Sequence, residues 1–253
     1  MERLAIVQIH AAEQPADNLV RIAHFAGEAA DAGCKALCFP ECFLSGYAPE
    51  QAAQRSISRS DPALNELSAL TRQYNLDLLV GFMESDGNHN FITHGIFRPD
   101  GSRDYYRKTH LGEKEARFFT PGDRLEVFTL SCEIQCGIQL CLESHFPEIT
   151  QTLSLKGADV IFAPYAAPGG SRQKIWEKYI PARSYDNRVY FACCNLFGGL
   201  YVTDPTGEAI CSAFDGSPGM LTFEADPALV AQYRSNSSHR FRYYPSRRRP
   251  ELY

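Results

Sequence analysis

Strand-like apolar runs alternate with amphipathic helical segments in this chain, and this alternation restricts its fold more than any other feature. In the first half, apolar residues recur at helical spacing between Leu19 and Ala30, and Gly33 ends the predicted helix. A second helix is predicted from Asp61-Pro62 to about Tyr74. Three apolar runs are predicted strands: Leu4 to Ile9, Ala36 to Phe39 and Leu76 to Phe82. This βαβαβ order is typical of an α/β fold.

The second half repeats this order, and each half continues into a predicted antiparallel hairpin. The hairpin turns are Arg98-Pro99-Asp100-Gly101-Ser102 and Asp204-Pro205-Thr206-Gly207. The further predicted elements are strands at Phe91 to Phe97, Arg103 to Lys108, Leu125 to Leu130, Ile134 to Leu140, Val160 to Ala163, Val189 to Cys194, Leu200 to Thr203, Ala209 to Ala213 and Met220 to Phe223, and helices near Phe146 to Leu155, Arg172 to Asn187 and Pro227 to Tyr233. We therefore predict two packed sheets with helices outside. One domain is expected over residues 1–253, with residues 235–253 as a C-terminal arm.

Composition and charge argue against several classes of protein. A formal net charge of -5 disfavours nucleic acid as the main partner, because phosphate binding needs a basic surface. The arginine-rich arm leaves a nucleic-acid-binding tail as an alternative, but packing on the protein itself or on a partner subunit fits the acidic whole better. No run reaches the roughly 20 apolar residues of a membrane span, and no signal peptide is recognised. We expect a cytoplasmic protein without a membrane or nucleic-acid partner.

The nine cysteines are predicted to be reduced, because their number is odd and no export signal is recognised. Cys34, Cys38 and Cys42 have a spacing that superficially resembles that of metal ligands. A helix end and a strand start lie among them, so their side chains should diverge, and a metal site is disfavoured. Cys193 and Cys194 are adjacent in an apolar run and should point to opposite faces of a strand.

Three short segments offer a carboxylate, an ammonium and a thiol, each after a strand-like run. They are Phe39-Pro40-Glu41, Tyr106-Arg107-Lys108 and Leu140-Cys141-Leu142-Glu143. Ligand crevices in α/β folds form at the carboxyl ends of strands, where such residues can meet. Because a free thiol is mostly protonated at neutral pH, Glu41 is the candidate general base for Cys141. Lys108 is the candidate stabiliser of negative charge on a substrate carbonyl.

These segments resemble those of the nitrilase superfamily of carbon-nitrogen hydrolases, and the resemblance runs nearly from end to end. Its landmarks are Phe39-Pro40-Glu41 with Phe43-Leu44-Ser45-Gly46-Tyr47, Tyr106-Arg107-Lys108 with His110-Leu111, Gly137 to Glu143 with Phe146-Pro147-Glu148, and the ending Arg248 to Tyr253. Glu115 precedes Phe119-Thr120-Pro121-Gly122 at the spacing of the family's second active-site glutamate.

The resemblance implies an α-β-β-α sandwich that forms homodimers or larger assemblies and uses no metal and no organic cofactor. Cys141 would attack an amide, carbamoyl or nitrile carbon while Glu41 takes the thiol proton. Lys108 and the backbone N–H of Leu142 would hold the oxyanion, and Glu115 would orient Lys108 or the substrate nitrogen. After ammonia leaves, water activated by Glu41 would cleave the thioester.

Departures from the family pattern bear on the substrate. Leu142 follows the nucleophile where nitrile-cleaving members tend to carry Trp, so a small carboxamide or N-carbamoyl compound is favoured over a nitrile. Neither an attached ATP-using domain nor membrane helices are expected, which favours stand-alone hydrolysis. Tyr47 and Tyr165 are candidates for apolar walls of the substrate pocket. The alternative from another class is a non-catalytic binding or scaffold protein that retains the fold.

Residues near the nucleophile have further predicted roles. Glu143 is expected to hold the loop through backbone hydrogen bonds rather than to line the pocket. His145 offers a Cys-His dyad as a rival mechanism, but a histidine four residues along the same turn is rarely oriented as the base. Four basic residues are candidates for pairing with a substrate carboxylate, although surface solvation explains each at least as well: Lys114, Arg117, Arg172 and Lys174.

Overall fold

The computed structural model describes residues 1–168, 172–235 and 243–252. The strands are β1 (Glu2–Gln8), β2 (Ala36–Cys38), β3 (Asp77–Ser85), β4 (Asn90–Phe97), β5 (Arg103–Arg107), β6 (Val127–Thr129), β7 (Gln135–Ile138), β8 (Val160–Tyr165), β9 (Tyr190–Asn195), β10 (Leu200–Thr203), β11 (Ala209–Ala213) and β12 (Gly219–Ala225). The α-helices are α1 (Pro15–Asp31), α2 (Ala52–Arg55), α3 (Pro62–Tyr74), α4 (Pro147–Leu155), α5 (Arg172–Asn187) and α6 (Pro227–Ser235). Short 3-10 helices cover Pro49–Gln51, Glu115–Arg117, Cys141–His145, Tyr244–Arg247 and Pro250–Leu252.

The strands form two six-stranded sheets with the same internal pattern. Sheet A has the order β12-β1-β2-β3-β4-β5, and sheet B has the order β11-β10-β9-β8-β7-β6. In sheet A, β1, β2 and β3 are parallel, and antiparallel strands flank them. In sheet B, β7, β8 and β9 are parallel and are flanked in the same way. The predicted α/β sandwich with two similar halves is confirmed.

Alternating side chains on the strands build three apolar layers. On β1, Leu4 and Ile6 face the space between the sheets, whereas Ala5 and Val7 face α1 and α3 on the outside of sheet A. On β9, Cys194 faces the space between the sheets and Cys193 faces α4 and α5 on the outside of sheet B, as predicted. The layers therefore follow the order α-β-β-α, with the main core between the two sheets.

The helices begin and end at the signals present in the sequence. Pro15 is the first residue of α1, and Gly33, just beyond its end, has a φ of 75°. Asp61 accepts a hydrogen bond from the backbone N–H of Ala63 (2.9 Å) and so caps α3. Asn75, with a φ of 49°, ends that helix. These stops set the chain directions into β2 and β3.

The candidate catalytic residues lie just beyond strand ends that come earlier than predicted. The strand β2 ends at Cys38 rather than Phe39, because the chain turns at Pro40, although the Phe39 N–H still donates to Leu79 O (2.9 Å). Similarly, β5 ends before Lys108 and β7 ends three residues before Cys141. The site therefore lies at the carboxyl ends of the parallel strands of both sheets.

The three cysteines weighed as metal ligands lie in two different apolar layers. Cys34 packs on the outer side of sheet A, whereas Cys38 and Cys42 lie between the sheets. Over residues 1–168, 172–235 and 243–252, no group of three His, Cys, Asp or Glu side chains is arranged to hold a metal ion. In the same ranges, no helix is both long and apolar enough to cross a membrane.

The described part of the C-terminal arm lies against α4 and α5. The hydroxyl of Tyr243 is 2.7 Å from Ser154 Oγ on α4, and Pro245 is buried. Residues 236–242 and 253 lie outside the described residues, so the role of the arm as a whole stays a prediction.

Candidate active site

Glu41 lies in a tight loop after β2. Cys42, the next residue, has a left-handed φ of 53°. The loop runs so close to β3 that a Cβ at Gly81 would lie 2.4 Å from the Cys42 nitrogen, a space that only glycine leaves open. The Glu41 side chain is 1% exposed, and its Oε2 accepts a hydrogen bond from the Ala166 N–H (3.1 Å). The loop thus fixes a buried carboxylate that faces sheet B.

Lys108 directly follows β5, and its backbone is held on both sides. Its N–H donates to Ile92 O (2.8 Å), and its carbonyl accepts from the Gly122 N–H (2.7 Å). The buried Nζ lies 2.9 Å from Glu41 Oε1 and 2.7 Å from Glu115 Oε1. The ammonium therefore sits between two buried carboxylates.

Glu115 begins the 3-10 helix Glu115–Arg117 and is also buried. Its Oε2 accepts a hydrogen bond from the Gly112 N–H (2.6 Å). Its Oε1 accepts one from the Tyr47 hydroxyl (2.9 Å) as well as the one from Lys108. Glu115 therefore contacts Lys108, and the orienting role expected for it stays a prediction. The Tyr47 ring is partly buried at the same cluster.

Cys141 begins a sharp turn between β7 and α4. Its φ of 46° is left-handed, a conformation that costs a non-glycine residue on the order of 1 kcal/mol or more. As a residue, Cys141 is partly exposed, whereas Glu41, Lys108 and Glu115 are buried. Leu142 is also partly exposed. Its N–H lies in the first turn of the 3-10 helix, where backbone donors have no partner within the helix.

Glu143 connects the turn of the nucleophile to the lysine segment. Its fully buried carboxylate accepts the Leu140 N–H at Oε2 (2.7 Å). At Oε1 it accepts the N–H (2.7 Å) and the hydroxyl (2.6 Å) of Thr109, together with the Tyr106 hydroxyl (2.8 Å). These bonds give Glu143 the loop-holding position predicted for it. The partners Tyr106 and Thr109 were not predicted.

Burial and nearby charges set the protonation of the site. Burial raises the pKa of Glu41 to about 7, an effect that the Lys108 ammonium opposes and the Glu115 carboxylate increases. Burial also raises the pKa of Cys141 to about 12, with Glu41 adding to the rise and Lys108 opposing it. Burial alone disfavours the Lys108 ammonium, but Glu41, Cys141 and Glu115 outweigh it and raise the pKa of Lys108. Near neutral pH the site therefore holds an ammonium, a thiol and a carboxyl close to its midpoint.

The backbone after β8 supplies groups that sequence reasoning missed. The Ala166 N–H donates to Glu41 Oε2, and the same backbone group tends to lower the pKa of Cys141. Asn195, at the end of β9, holds the adjacent Ala167 by hydrogen bonds in both directions. A backbone donor occurs at every residue except proline, so no residue type could have indicated Ala166.

Tyr165 and His145 lie behind the Cys141 turn. The Tyr165 side chain is 1% exposed, and its hydroxyl lies 2.5 Å from Ser144 Oγ and 3.0 Å from the Tyr179 hydroxyl. Ser144 in turn donates to the Cys141 carbonyl (2.7 Å). The His145 ring lies against that of Tyr179, with 4.8 Å between centroids. These residues support the turn, and contact between Tyr165 and a substrate stays a prediction.

The basic residues considered for a substrate carboxylate lie on the surface where they are described. Lys114 is 3.7 Å from Glu50, and Arg117 is 3.6 Å from Glu113, in exposed ion pairs. Lys174 is exposed, and the side chain of Arg172 lies outside the described part of the chain. These positions favour surface solvation for Lys114 and Arg117.

An ammonium held by two buried glutamates, beside a cysteine at a strand end of an α-β-β-α sandwich, is an arrangement suited to acyl transfer through a thioester. The sequence profile of the carbon-nitrogen hydrolase family matches residues 3–235, and the chain belongs to that family. The predicted resemblance is confirmed. Family membership supports an amidase-like enzyme rather than a binding protein that only retains the fold.

Curated relatives are similar over most of their length. The omega-amidase NIT2 of Danio rerio is 31% identical over 237 residues, covering 83% of both chains. The nitrilase of Pyrococcus abyssi is 29% identical over 251 residues, covering 93% of this chain and 94% of the relative. The relatives thus include both an amidase and a nitrilase.

Solved structures of an amidase from Nesterenkonia sp. AN1 have the same fold. One superposes with a TM-score of 0.86 at 26% identity and covers 100% of this chain and 98% of the amidase. A cysteine-to-alanine variant of that amidase, in complex with butyramide, gives a TM-score of 0.85 at 26% identity, covering 99% and 95%. Another variant of the amidase carries acrylamide added at its active-site cysteine.

Proposed function

We propose that this protein hydrolyses the carboxamide bond of a small neutral amide and releases ammonia, with Cys141 as the nucleophile. The observation that carries the proposal is the position of Lys108. Its Nζ lies 2.9 Å from Glu41 and 2.7 Å from Glu115, near enough to Cys141 for the two groups to influence each other's pKa. This cluster combines a base, a charge stabiliser and a nucleophile in one place.

The proton of the Cys141 thiol passes to Glu41 as the sulfur attacks the amide carbon. Because the pKa of the thiol is raised to about 12 and that of Glu41 to about 7, a free thiolate is not the resting form. The S–H bond therefore breaks as the C–S bond forms, and a new O–H bond forms on Glu41. The Lys108 ammonium stabilises the negative charge that develops on the substrate oxygen.

The tetrahedral oxyanion collapses when its nitrogen receives the proton from Glu41 and leaves as ammonia. The Leu142 N–H is the second proposed donor to the oxyanion, together with Lys108. Glu41, again a carboxylate, then takes a proton from water as the water attacks the thioester. The products are the carboxylic acid and ammonia, and Cys141 regains its proton from Glu41.

The charges of the site favour a neutral substrate. Among the described residues, Glu41 and Glu115 contact the ammonium of Lys108, and the Glu143 carboxylate adds negative charge near Glu41. Lys114 and Arg117 pair with exposed glutamates elsewhere. A substrate carboxylate would be repelled by this cluster. The neutral butyramide bound by the Nesterenkonia amidase supports the same class. The name of the omega-amidase relatives supports a second candidate, the terminal amide of a chain that carries a carboxylate.

A substrate panel tests the proposal through ammonia release and intact protein mass. The panel contains butyramide, succinamate, an N-carbamoyl amino acid and butyronitrile, assayed with wild type, Cys141→Ala and the control Cys132→Ala, another partly exposed cysteine. We expect ammonia from butyramide and a transient acyl adduct, both lost only in Cys141→Ala. Normal turnover by Cys141→Ala would refute the mechanism. A preference for succinamate, the carbamoyl compound or the nitrile would refute the neutral-amide class while leaving the cysteine chemistry intact.

We also propose that the protein forms a homodimer or a larger homo-oligomer, as its family resemblance implied. Exposed apolar side chains on α5 and on the described part of the arm support this proposal: Tyr185, Tyr244 and Leu252. Light scattering after size-exclusion chromatography measures the assembly. A monomer at micromolar concentration would contradict it.

A further inference from the structure

Three hydroxyl groups meet behind the turn that carries the nucleophile. The fully buried Ser144 donates a hydrogen bond from Oγ to the Cys141 carbonyl (2.7 Å). The same oxygen lies 2.5 Å from the Tyr165 hydroxyl and 3.0 Å from the Tyr179 hydroxyl, and the two tyrosine hydroxyls lie 3.0 Å apart. A serine hydroxyl has one proton, and a carbonyl oxygen can only accept. Ser144 therefore donates to Cys141 and is the acceptor in its contacts with the tyrosines.

The carbonyl that Ser144 contacts belongs to the same peptide group as the Leu142 N–H. A trans peptide group is planar, so its C=O and N–H point in opposite directions and can only turn together. Cys141 has a left-handed φ of 46°, a conformation that persists only where the surroundings hold it. A hydrogen bond to the carbonyl fixes the plane of this peptide and also polarises its N–H. The three hydroxyls thus act on the backbone donor that directly follows the nucleophile.

Other contacts hold the two ends of the turn. The Glu143 carboxylate accepts the Leu140 N–H (2.7 Å), and the Glu143 N–H donates to Leu140 O (2.9 Å). Arg183 donates to the carbonyls of Ser144 and His145, both at 3.3 Å. Loss of the Ser144 hydroxyl would leave these contacts in place and would release the peptide plane between them.

We propose that Ser144 is a positioning residue for the hydrolysis, acting through the Cys141–Leu142 peptide on the oxyanion. Its hydroxyl, oriented by Tyr165 and Tyr179, directs the Leu142 N–H toward the substrate oxygen and strengthens it as a donor while negative charge develops there. The hydroxyl cluster exchanges no proton with the substrate. This inference rests on the proposed function, in which the Leu142 N–H is the second donor to the oxyanion.

Loss of the Ser144 hydroxyl should slow the reaction more than it weakens substrate binding. Removing one oxyanion donor costs about hundredfold to thousandfold in kcat. Ser144→Ala keeps the Leu142 N–H and loses only its orientation and polarisation. We therefore expect a smaller fall in kcat, of about tenfold to hundredfold, with KM changed by less than about twofold. Tyr165→Phe removes one donor to Ser144 and should lower kcat by about threefold.

Two reactions of Cys141 separate a role in the oxyanion from general support of the turn. Butyraldehyde adds to the thiol: a C–S bond forms, the thiol proton passes to the aldehyde oxygen, and in the proposed mechanism this oxygen takes the place of the oxyanion. Alkylation by iodoacetamide forms a C–S bond and expels iodide, with no oxyanion. Protection of Cys141 from alkylation by increasing butyraldehyde therefore measures the affinity for the adduct without any turnover.

The test compares wild type, Ser144→Ala and Tyr165→Phe by kcat and KM on butyramide, by butyraldehyde protection and by alkylation of Cys141 across pH, followed by peptide mass. In Ser144→Ala the butyraldehyde affinity should fall about tenfold or more, and alkylation without aldehyde should match wild type at every pH. Tyr165→Phe, with its smaller expected change in the same direction, carries the test if Ser144→Ala does not fold.

Ser154→Ala is the matched control. The buried Ser154 hydroxyl also donates to a backbone carbonyl, that of Asn187 (2.7 Å), and also lies beside a tyrosine hydroxyl, that of Tyr243 (2.7 Å). These contacts join α4 to the end of α5 and to the arm rather than to the nucleophile turn. The control should therefore retain the wild-type kcat and the wild-type butyraldehyde protection.

A folded Ser144→Ala variant that retains either the wild-type kcat on butyramide or the wild-type butyraldehyde protection would overturn the inference. Alkylation that slows as much as kcat falls would also overturn it, because displacement of Cys141 would then explain the loss. If wild type hydrolyses no amide but butyraldehyde protection weakens in Ser144→Ala, the proposed substrate class fails and the role of Ser144 stands. If wild type hydrolyses butyramide and Ser144→Ala is equally active, the proposed function stands and the role of Ser144 fails.

Discussion

Removing the charge of Glu115 is expected to move the acid limb of the activity profile to lower pH. Burial raises the pKa of Glu41 to about 7, and the neighbouring carboxylate of Glu115 adds to that rise. In the proposed mechanism Glu41 must be ionised to accept the thiol proton, so kcat/KM for wild type should increase with pH through about 7. In Glu115→Gln the repulsion is absent and Lys108 is left to pair with Glu41. Both changes favour the ionised carboxylate, so the limb should move toward acid.

The magnitude follows from the geometry around the lysine. The carboxylate oxygens of Glu41 and Glu115 lie 2.9 Å and 2.7 Å from one Nζ, so they are no more than about 6 Å apart. At an effective dielectric constant of about 20, two unit charges at about 6 Å repel by about 3 kcal/mol. This energy corresponds to about 2 pH units. Because the site can relax, we expect the limb to shift by about 1 to 2 units, from near pH 7 to between about 5 and 6.

The assay is the pH dependence of kcat/KM on a neutral amide, whose own charge is constant between pH 4.5 and 9. Where residual turnover of Glu115→Gln is too slow, the rate of Cys141 alkylation by iodoacetamide follows the same ionisation. The control Glu113→Gln removes a nearby exposed carboxylate that pairs with Arg117 on the surface. A limb that stays at the wild-type pH, or moves to higher pH, would show that Glu115 does not raise the pKa of Glu41.

Two further substitutions test the burial and the packing of the Glu41 loop. Since burial raises the folded pKa of Glu41 to about 7, above an unfolded value of about 4.3, wild type should lose stability as pH rises between these values. In Glu41→Gln this loss is absent. Urea unfolding should therefore show that the free energy of unfolding of the variant, relative to that of wild type, increases by up to about 3 kcal/mol from pH 4 to pH 8. If this difference between variant and wild type stayed constant with pH, it would contradict the raised pKa of Glu41. Gly81→Ala would place a Cβ 2.4 Å from the Cys42 nitrogen and should destabilise the fold by about 1 to 3 kcal/mol and reduce turnover. Gly219→Ala, whose Cβ would meet nothing closer than 3.8 Å, is its control, and equal stability of the two variants would refute the packing argument.

The sequence predicted the layers of the fold because periodicity reports which face of an element is buried. Leu4 to Val7 form a continuous apolar run, which is typical of a strand buried on both faces. Because successive side chains of a strand point to opposite faces, Leu4 and Ile6 lie in one apolar layer and Ala5 and Val7 in the other. The pairing of β12 with β1, from Glu2 opposite Ala225 to Gln8 opposite Gly219, could not be predicted in the same way. It joins segments separated by nearly the whole chain, and alternation along the chain does not specify partners at such separation.

In the candidate site, the catalytic side chains could be predicted from the sequence, whereas the backbone groups could not. The segments of Glu41, Lys108 and Cys141 follow strand-like runs, and parallel strands bring their carboxyl ends to one edge. The Ala166 N–H and the bonds of Asn195 gave no signal, because a backbone donor has no residue identity and a buried asparagine is defined only by its partners. Strand ends also differed from prediction, as at Phe39, where the turn at Pro40 overrides an apolar residue that otherwise fits a strand.

The two halves of the sandwich have the same topology but contribute different chemistry, which bears on how the site is held together. The segments that follow β2 and β5 of sheet A supply Glu41, Lys108 and Glu115. The distances among these charges therefore do not depend on how the sheets pack. Sheet B supplies Cys141, whose distance from the charges does depend on that packing. Hydrogen bonds that cross between the sheets at this edge include those from the lysine segment to Glu143 and that from the Ala166 N–H to Glu41. Polar contacts, and not the apolar core alone, therefore hold the charged cluster of sheet A against the Cys141 turn of sheet B, and in the proposed mechanism these contacts set the geometry for proton transfer.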